Sequence, residues 1–498
     1  MLHYKSVFVL GRQPVIGWAE LESLYGAEVL EPLDEFGAAS SLLPTDIDFA
    51  RLGSTVKLGE VLGIIDATEW RAVQQQLTAL AVQRAQDLSE GKIQLGISTY
   101  GLRVAPRQLT AAGLELKKAL RNAGYSVRLV PNQEELALSS AQVLHNHLSG
   151  ERGLELLLIR HHNQTVVART TNVQDITAYA RRDQGRPKRD AFVGMLPPKL
   201  AQTIINLATG PLPPREDTVV LDPFCGTGVI LQEALLMGYG AYGTDLEPRM
   251  IDYSRENLAW LSEHVQSTSG QREPSTSRGD SAVAEPGKIL GDSRLQSSFT
   301  AHERSLSSVE GGSPKPLTTH GPALEVLPSA AEVFSKPNPE KIPRETLPST
   351  VHEAKPQTEE IDMASAAAEF MPALETGDAT THQWSIPFTV IASETYLGRP
   401  LNNWPAPGKL QEITGTCNVI VEHFLRNIAA QTPCGTRLCL AVPAWRNPNG
   451  RVQHLSTLDR LSDLGYNRVS FSGVRNEDLV YYRPDQLVAR ELLVIIRK

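Results

Sequence analysis

Thr218-Val-Val-Leu-Asp-Pro-Phe-Cys-Gly-Thr-Gly-Val229 is the stretch of sequence that decides the fold. Its apolar beginning predicts a buried strand, and Gly226 and Gly228 predict a turn that leads into a helix over Ile230–Met237. A glycine has no Cβ, so the backbone of this turn can approach a ligand closely, and the free N–H groups of the helix N-terminus point at that ligand. The stretch therefore predicts a ligand-binding α/β domain.

An acidic residue, Asp245, stands at the end of the next predicted strand, Ala241-Tyr-Gly-Thr-Asp. A carboxylate at this position can accept hydrogen bonds from both hydroxyls of a ribose. A glycine-rich turn followed by such an acid is shared by dinucleotide-binding enzymes and methyltransferases. The segment Asp222–Gly228 lacks the G-x-G-x-x-G pattern that cradles a pyrophosphate, which favours the methyltransferase class.

The composition argues against several other classes of protein, namely membrane, secreted and metal-binding proteins. The chain has 498 residues, of which 41% are apolar, so several globular domains are expected. No run of residues approaches the ~20 apolar residues of a membrane span, and no secretory signal pattern opens the sequence. The four cysteines have neither disulfide nor zinc spacing. We therefore expect a cytoplasmic protein with no membrane segment and no metal site.

The region from about residue 263 to residue 384 has a different composition from the rest. It is rich in Pro, Ser, Thr and Glu, and it has few aromatic residues. Such a segment cannot bury enough apolar surface to offset the entropy lost on ordering. We expect a disordered insertion that contains one ordered island at Lys288–Leu295.

The N-terminal part predicts two mixed α+β units, over residues 1–88 and 89–175. The first unit begins with the strand pattern Ser-Val-Phe-Val-Leu-Gly from Ser6, followed by a short helix that ends at Gly26. Residues Ser54–Ile65 then predict a pair of strands, and Glu69–Asp87 predict a helix. The second unit ends with two antiparallel strands, Leu-Glu-Leu-Leu-Leu-Ile-Arg and Thr-Val-Val-Ala-Arg-Thr-Thr.

A basic connector follows over residues 176–195, in a chain whose net charge is −8. Its cationic side chains are Arg181, Arg182, Arg186, Lys188 and Arg189. A basic strip in an acidic protein is a candidate surface for nucleic-acid phosphates. The alternative interpretation is a solvated linker whose arginines pair with carboxylates.

The sequence resembles the THUMP-containing tRNA guanine-N2 methyltransferases that modify position ten. The resemblance rests on Phe8-Val-Leu-Gly-Arg-Gln-Pro, Leu138-Ser-Ser-Ala, Gly194-Met-Leu-Pro-Pro-Lys-Leu-Ala and Asp222–Gly228, and it covers almost the whole chain outside the insertion. It implies a ferredoxin-like domain over 1–88, a THUMP RNA-binding domain over 89–175, and a class I, Rossmann-like methyltransferase domain over 196–498. Its partner would be tRNA, bound by a monomer; a small activating subunit stays possible.

The resemblance also implies S-adenosylmethionine as the cofactor. Asp245 would hold the ribose, and Asp292, in Lys-Ile-Leu-Gly-Asp-Ser-Arg, would lie near the adenine amine. The full set of implied cofactor-binding residues is Asp222, Phe224, Gly226, Gly228, Asp245 and Asp292.

The predicted catalytic segment departs from the family pattern. Amino-methyltransferases carry Asp, Asn or Ser followed by Pro-Pro and an aromatic residue, and this chain has Ser393-Glu-Thr-Tyr396. An exocyclic amine is a poor nucleophile because its lone pair is delocalised into the ring. Ser393 and the backbone carbonyl of Glu394 would accept its two hydrogens, and Tyr396 would stack on the base. Without the two prolines the loop is less constrained.

The main expectation is methyl transfer to an exocyclic amine, guanine N2 in tRNA. Two alternatives stay open. A DNA adenine or cytosine amino-methyltransferase would share the cofactor loop, although it fits the two N-terminal units poorly. A catalytically weakened RNA-binding protein that keeps its cofactor is favoured only by Ser-Glu-Thr-Tyr.

All of these functions predict the same C-terminal sheet of seven strands. Its last two strands, Leu479–Tyr482 and Glu491–Ile496, should form an antiparallel hairpin. A helix near Asn418–Gln431 should precede them.

Overall fold

The computed structural model describes residues 4–132, 134–190, 196–211, 218–269, 372–399, 401, 403–447, 449–484 and 486–498. The predicted island Lys288–Leu295, and Asp292 with it, lie outside these residues. Within the described ranges, each helix is too short or too polar to cross a lipid bilayer.

The N-terminal part of the chain forms one sheet of eight strands in the order β2-β3-β1-β4-β8-β7-β5-β6. The strands are β1 (Ser6–Leu10), β2 (Leu30–Leu33), β3 (Gly37–Ser40), β4 (Thr55–Ile65), β5 (Lys92–Tyr100), β6 (Ser126–Leu129), β7 (Gly153–His161) and β8 (Gln164–Val173). Strand β4 pairs antiparallel with β8, so the sheet continues across the predicted domain boundary at residue 88. The division into a ferredoxin-like and a THUMP domain stays a prediction.

The predicted strand pair over Ser54–Ile65 is wrong, because this segment is the single strand β4. The pairing of β4 with β8 shifts register next to Gly59 and again next to Gly63. Irregularities of this kind bend a strand and increase its twist without ending it. Gly59 and Gly63 therefore mark two bends within β4 and not a turn between two strands.

Four helices belong to this N-terminal part: α1 (Pro14–Tyr25), α2 (Trp70–Ala85), α3 (Pro106–Asn122) and α4 (Ser140–His145). Helix α1 ends where predicted, and Gly26 follows it with a positive φ of 84°. Helix α2 is also confirmed; the side chain of Glu69 caps it by accepting hydrogen bonds from the amides of Arg71 and Ala72.

The C-terminal part is a second sheet, whose main path has the order β11-β10-β9-β12-β13-β17-β15. Its strands are β9 (Val219–Asp222), β10 (Gly240–Asp245), β11 (Ala373–Thr376), β12 (Val390–Glu394), β13 (Arg437–Arg446), β14 (Val452–Gln453), β15 (Tyr466–Arg468), β16 (Val480–Tyr481) and β17 (Val488–Arg497). The first five strands of the path are parallel, and β17 lies antiparallel between β13 and β15. This is the class I methyltransferase sheet predicted from the sequence.

Two predicted features of this sheet are wrong. The strand beside β17 on the main path is β15, whereas the predicted Leu479–Tyr482 contributes only the short side strand β16. The predicted insertion also extends too far, because Ala373–Thr376 pair with β10 as β11. Both errors come from strands of four residues or fewer, whose pairing partners are distant in sequence.

Among the described residues, five α-helices flank the second sheet: α5 (Ile176–Gln184), α6 (Pro198–Thr209), α7 (Val229–Leu236), α8 (Pro248–Ser269) and α9 (Pro407–Ala429). Helix α9 begins well before the predicted Asn418, at Pro407, a residue favoured in the first turn of a helix. Helix α6 is buried over almost its whole surface because it packs against α1 on one side and against β12 and β13 on the other.

A buried polar cluster joins the two sheets through α1 and α6. The Glu20 carboxylate accepts hydrogen bonds from the amides of Gly53 and Ser54, at 2.9 and 2.8 Å, and from the Asn206 side chain at 2.8 Å. Burial raises the pKa of Glu20, and these hydrogen bonds oppose the shift. The surrounding residues form one apolar core that includes Phe8 and Leu492. The N-terminal sheet is therefore packed directly onto the C-terminal domain.

Candidate active site

A cleft of about 670 Å³ lies at the carboxyl ends of β9, β10 and β12. The strand order reverses between β9 and β12, since β10 and β11 lie on one side and β13 on the other. Ligands of open α/β sheets bind at such a switch point, outside the carboxyl ends of the strands. The volume also falls within the range of small-molecule and cofactor sites.

The turn between β9 and α7 forms one wall of this cleft. Gly226 and Gly228 have positive φ values of 52° and 81°, which a residue with a side chain rarely adopts. A Cβ atom on Gly228 would lie only 2.9 Å from the Ser254 hydroxyl, which itself donates to the Gly226 carbonyl. Local conformation therefore favours glycine at both positions, and crowding against Ser254 requires it at Gly228.

Asp245 lies at the end of β10, as predicted, and faces this turn. Its Oδ2 accepts the Gly226 amide at 2.9 Å, and its Oδ1 accepts the Glu247 amide at 2.9 Å. Each carboxylate oxygen has two lone pairs, so both oxygens keep acceptor capacity toward the cleft. Burial raises the pKa of Asp245, and the two amide hydrogen bonds oppose that rise.

Asp222, the last residue of β9, is almost fully buried and borders the cleft. Its Oδ1 accepts the Phe224 amide at 3.3 Å and the Ser393 hydroxyl at 2.5 Å. Burial raises the pKa of Asp222 to about 7, and the hydrogen bond from Ser393 limits the rise. Phe224 lines the cleft too, with its ring edge-on to Phe424 at 5.3 Å.

The predicted catalytic segment divides into a buried and an exposed part. Ser393 and Glu394 belong to β12, where Ser393 is fully buried and does not line the cleft. An acceptor for a target amine would have to face the cleft, and the Ser393 hydroxyl is directed to Asp222 instead. Glu394 and Tyr396 do line the cleft, and Tyr396 is 41% exposed at its edge.

An ion pair holds this segment in place. The guanidinium of Arg490, on β17, donates to the Glu394 carboxylate, and both side chains are mostly buried. The next residue, Thr395, donates its amide to the Ala441 carbonyl of β13 at 3.1 Å. These contacts with two neighbouring strands constrain the loop in which the family pattern has two prolines.

The structure adds an acidic residue that the sequence analysis missed. Asp378 follows β11 and lines the cleft on the side opposite to β12. Its signal was available in Ala373-Leu-Glu-Thr-Gly-Asp378, a short strand pattern followed by glycine and an acid. This segment was assigned to the insertion, and Asp292 was chosen instead; Asp292 lies outside the described residues.

The cleft is acidic and has an apolar edge. Among the described residues, its lining includes no lysine or arginine. The carboxyl groups that line it are Asp222, Asp245, Glu247, Asp378 and Glu394. Leu246 and Val419 stand exposed beside Tyr396 at the rim. The arrangement suits a ligand that combines positive charge with flat apolar surface.

The predicted basic connector is only partly available to a ligand. Arg181 and Arg189 are exposed, and neither forms an ion pair within the described residues. Arg182 forms an ion pair with the buried Glu233 at 2.7 Å. Arg186 is almost completely buried, and Lys188 pairs with Glu256 at 3.1 Å. The structure therefore leaves Arg181 and Arg189 as the free cations of this strip.

A second cavity, of about 380 Å³, lies where the N-terminal sheet meets α6 and the segment after β16. Among the described residues its charged lining is entirely cationic: Arg12, Lys199 and Arg483. The five segments that form it lie far apart in the sequence, so neither composition nor a motif indicates it.

Comparison with known proteins agrees with the resemblance predicted from the sequence. The chain is similar to tRNA (guanine(10)-N2)-dimethyltransferases. It is 45% identical over 78 residues to the enzyme of that name from Methanothermobacter thermautotrophicus, a match that covers 15% of this chain and 22% of the relative. For the Methanocaldococcus jannaschii enzyme the identity is 38% over 80 residues, covering 16% and 22%. The resemblance predicted from the sequence is confirmed, over about a fifth of the relatives' length.

Two broader matches accompany these relatives. A family model described as DNA methylase matches residues 136–256, about a quarter of the chain. The crystal structure of TrmN from Thermus thermophilus aligns over 99% of this chain and all of that chain, with a TM-score of 0.43 and 13% identity. The fold assignment rests on the strand order of the second sheet.

Proposed function

We propose that this protein transfers a methyl group from S-adenosylmethionine to an exocyclic amine of an RNA base, namely N2 of guanine in tRNA. The observation that carries the proposal is the acidic cleft at the switch point of the second sheet. Its carboxyl groups favour a cationic sulfonium cofactor and oppose the pyrophosphate of a dinucleotide. Asp245, Glu247 and Asp378 carry most of this effect, because Glu394 is paired with Arg490 and burial raises the pKa of Asp222 to about 7. The sequence similarity to tRNA guanine-N2 dimethyltransferases supports the same substrate.

The residues of the cleft fit this cofactor. The turn through Gly226 and Gly228 leaves room for close approach, and Asp245 keeps acceptor capacity for two ribose hydroxyls. Asp378, which lines the cleft, is the residue that we propose to accept a hydrogen bond from the adenine amine; the role predicted for Asp292 stays a prediction, because Asp292 lies outside the described residues. When bound, S-adenosylmethionine supplies an electrophilic methyl group on its sulfonium centre.

The target base would enter beside Tyr396, whose exposed ring offers a stacking surface. The carboxylate of Glu394, held by Arg490, and the backbone carbonyl of Glu394 are the acceptors proposed for the two amine hydrogens. Ser393 acts as a positioning residue, because its hydroxyl orients the Asp222 carboxylate. Direct transfer in a desolvated, pre-aligned geometry requires no covalent intermediate.

RNA would be held by cations outside the acidic cleft. Arg181 and Arg189 are exposed on the basic connector, and Arg12, Lys199 and Arg483 line the second cavity. Phosphate contacts of this kind make affinity fall as salt concentration rises. The base must be flipped from a helix or presented from a loop to reach Tyr396.

The test uses the full chain, labelled S-adenosylmethionine, and two substrates, unmodified tRNA and duplex DNA. The expected product is N2-methylguanosine or its dimethylated form, identified by mass spectrometry of the nucleosides. A preference for duplex DNA would support the DNA methyltransferase alternative, which the DNA methylase match favours. Binding of tRNA and cofactor without transfer would support the weakened RNA-binding alternative.

The RNA surface is tested separately with Arg181→Ala and Arg189→Ala together. This double variant should bind tRNA more weakly and with a smaller salt dependence, while cofactor affinity stays unchanged. Arg182 is left intact because its removal would leave the buried Glu233 without a cation.

A further inference from the structure

Two turns of the N-terminal sheet meet although they lie far apart in the sequence. The turn between β2 and β3 carries Asp34, while His161 is the last residue of β7 and His162 lies in the hairpin turn between β7 and β8. Four strands separate β2 from β7 in the sheet, yet β2 contacts β7. The sheet curls so that Leu33 packs in one apolar cluster with Ile159. The curl brings the three side chains together.

The three side chains direct potential ligand atoms toward one point. Oδ1 of Asp34 lies 3.7 Å from Nδ1 of His162 and 3.9 Å from Nδ1 of His161. The three atoms all lie within 4.8 Å of one another. Ligand atoms of a tetrahedral zinc ion are about 3.3–3.5 Å apart, given metal–ligand bonds of roughly 2.0–2.2 Å. Both observed separations are a few tenths of an ångström longer, so metal binding requires small rotations of the Asp34 side chain and of His162, which is 75% exposed.

A second observation concerns His161 itself, which is only 7% exposed. Its buried Nδ1 has no hydrogen-bond partner, whereas most buried polar atoms in proteins have one. Its other nitrogen, Nε2, lies 3.6 Å from the Glu31 carboxylate. A carboxylate on the far nitrogen of an imidazole is the usual arrangement behind a metal-bound histidine, because it fixes the tautomer and orients the ring.

We propose that Asp34, His161 and His162 bind a divalent transition-metal ion, with Glu31 orienting His161. Two imidazoles and one carboxylate are the donor set preferred by zinc and its neighbours. The ion would connect the two hairpins and so hold the curl of the sheet. The proposal is independent of the methyltransferase assignment.

The competing explanation is an ordinary turn acid paired with a neighbouring cation. Arg160 lies 3.9 Å from Oδ2 of Asp34, although both side chains are partly exposed and such a pair contributes little. That explanation leaves the Nδ1 atom of His161 without a partner, and it predicts no specific effect of zinc.

The test measures zinc binding to the full chain by calorimetry after removal of metal with a chelator. All variants carry Cys434→Ser, since Cys434 is an exposed thiol that binds zinc nonspecifically. Asp34→Asn and His162→Asn remove ligands while keeping a residue that accepts a positive φ. His147→Asn is the matched control, because His147 is also an exposed histidine with a positive φ, of 53°, away from the cluster.

The parent and His147→Asn should bind one equivalent of zinc and unfold at a higher temperature when zinc is present. Asp34→Asn and His162→Asn should lose at least about tenfold in zinc affinity and most of the thermal shift. Cobalt should give the visible absorption of a low-symmetry site in the parent and not in His162→Asn. Zinc affinity that is the same in all four proteins, or absent from the parent, overturns the proposal.

Discussion

The two cavities of this molecule carry opposite charge. The cleft of the second sheet is lined by five carboxyl groups and, among described residues, by no lysine or arginine, whereas the cavity beside α6 has only cations as its charged lining. The net charge of −8 conceals this separation. A cationic small molecule and a polyanion can therefore bind the same chain at different places without competing for one electrostatic environment.

The cavities also differ in how they are built. The acidic cleft is formed mainly by residues that follow the strands of a single sheet. The basic cavity combines five segments, which lie after β1, around the start of β4, after β8, at the start of α6 and around the end of β16. The basic cavity exists only when the N-terminal sheet is packed on the second domain. RNA affinity should depend on that packing, and cofactor affinity should depend on it much less.

The largest expected effect separates catalysis from RNA binding. Tyr396→Ala should lower methyl transfer to tRNA by roughly 10- to 100-fold, since base stacking on an aromatic ring contributes roughly 1–3 kcal/mol. The affinity for tRNA should stay within about twofold, because its phosphates bind elsewhere. Single-turnover transfer and filter binding measure the two quantities. Tyr396→Phe is the control and should remain active. A parallel loss of RNA affinity would contradict the separation of the two regions.

The next largest effect is on the free energy of unfolding, and it tests the raised pKa of Asp222 in the cleft. Burial raises the pKa of Asp222 to about 7 from an ordinary value of 3.8, so the folded protein favours the protonated acid. Ionising Asp222 is less favourable in the folded protein, so it lowers the free energy of unfolding progressively as the pH rises from 4 to 7. This loss is constant above pH 7. Asp222→Asn should therefore be more stable than the wild type by on the order of 2 kcal/mol at pH 8, and similar to it near pH 4. Urea unfolding at both pH values measures this difference.

A smaller effect concerns the cofactor. Asp245→Asn should weaken binding of S-adenosylmethionine by roughly tenfold, because one charge-assisted hydrogen bond to the ribose becomes neutral. Calorimetry measures the affinity, and Asp252→Asn, an exposed acid on α8 paired with Arg255, serves as the control. Unchanged affinity in Asp245→Asn would place the ribose elsewhere, and no binding by the wild type would remove the enzyme assignment.

The smallest effect tests the basic cavity. Arg12→Ala with Arg483→Ala should reduce the slope of log affinity for tRNA against log salt by roughly 1 to 2 units, with a modest loss of affinity. Cofactor affinity should not change. Arg426→Ala with Arg460→Ala is the matched control, since both of these arginines already pair with Glu422. An equal effect in the control pair would mean that overall charge, and not this cavity, governs binding.

Much of the fold could be predicted because its signals are local. About ten consecutive residues are enough to predict each of three features: the glycine-rich turn, the strand before it and the cap of α2. The continuous eight-stranded sheet could not be predicted, because it depends on the pairing of β4 with β8, more than 100 residues apart. The strands β11 and β15 were missed for a related reason, since each is too short to show a period of two.

The residues of the cleft that could be predicted are those whose chemical type and whose position near a strand end both indicate a binding role. Asp222, Gly226 and Asp245 meet in one cleft, as their positions at strand ends required. The direction of Ser393 could not be predicted, because a shift of one residue in the end of β12 turns the side chain to the other face. Arg490 carries no motif, and its contact with Glu394 spans 96 residues of sequence. Only the folded sheet reveals that pair.

The strand that carries Arg490 has a consequence for the order of synthesis. β17 inserts between β13 and β15, both of which precede it in the chain. Until β17 has left the ribosome, the second sheet has a gap, and Glu394 has no cation beside it. The glycine-rich turn and Asp245 are translated more than 200 residues earlier. A nascent chain therefore contains the glycine-rich turn and Asp245 long before Glu394 gains its cation, and under the proposed function methyl transfer would wait until the sheet is complete.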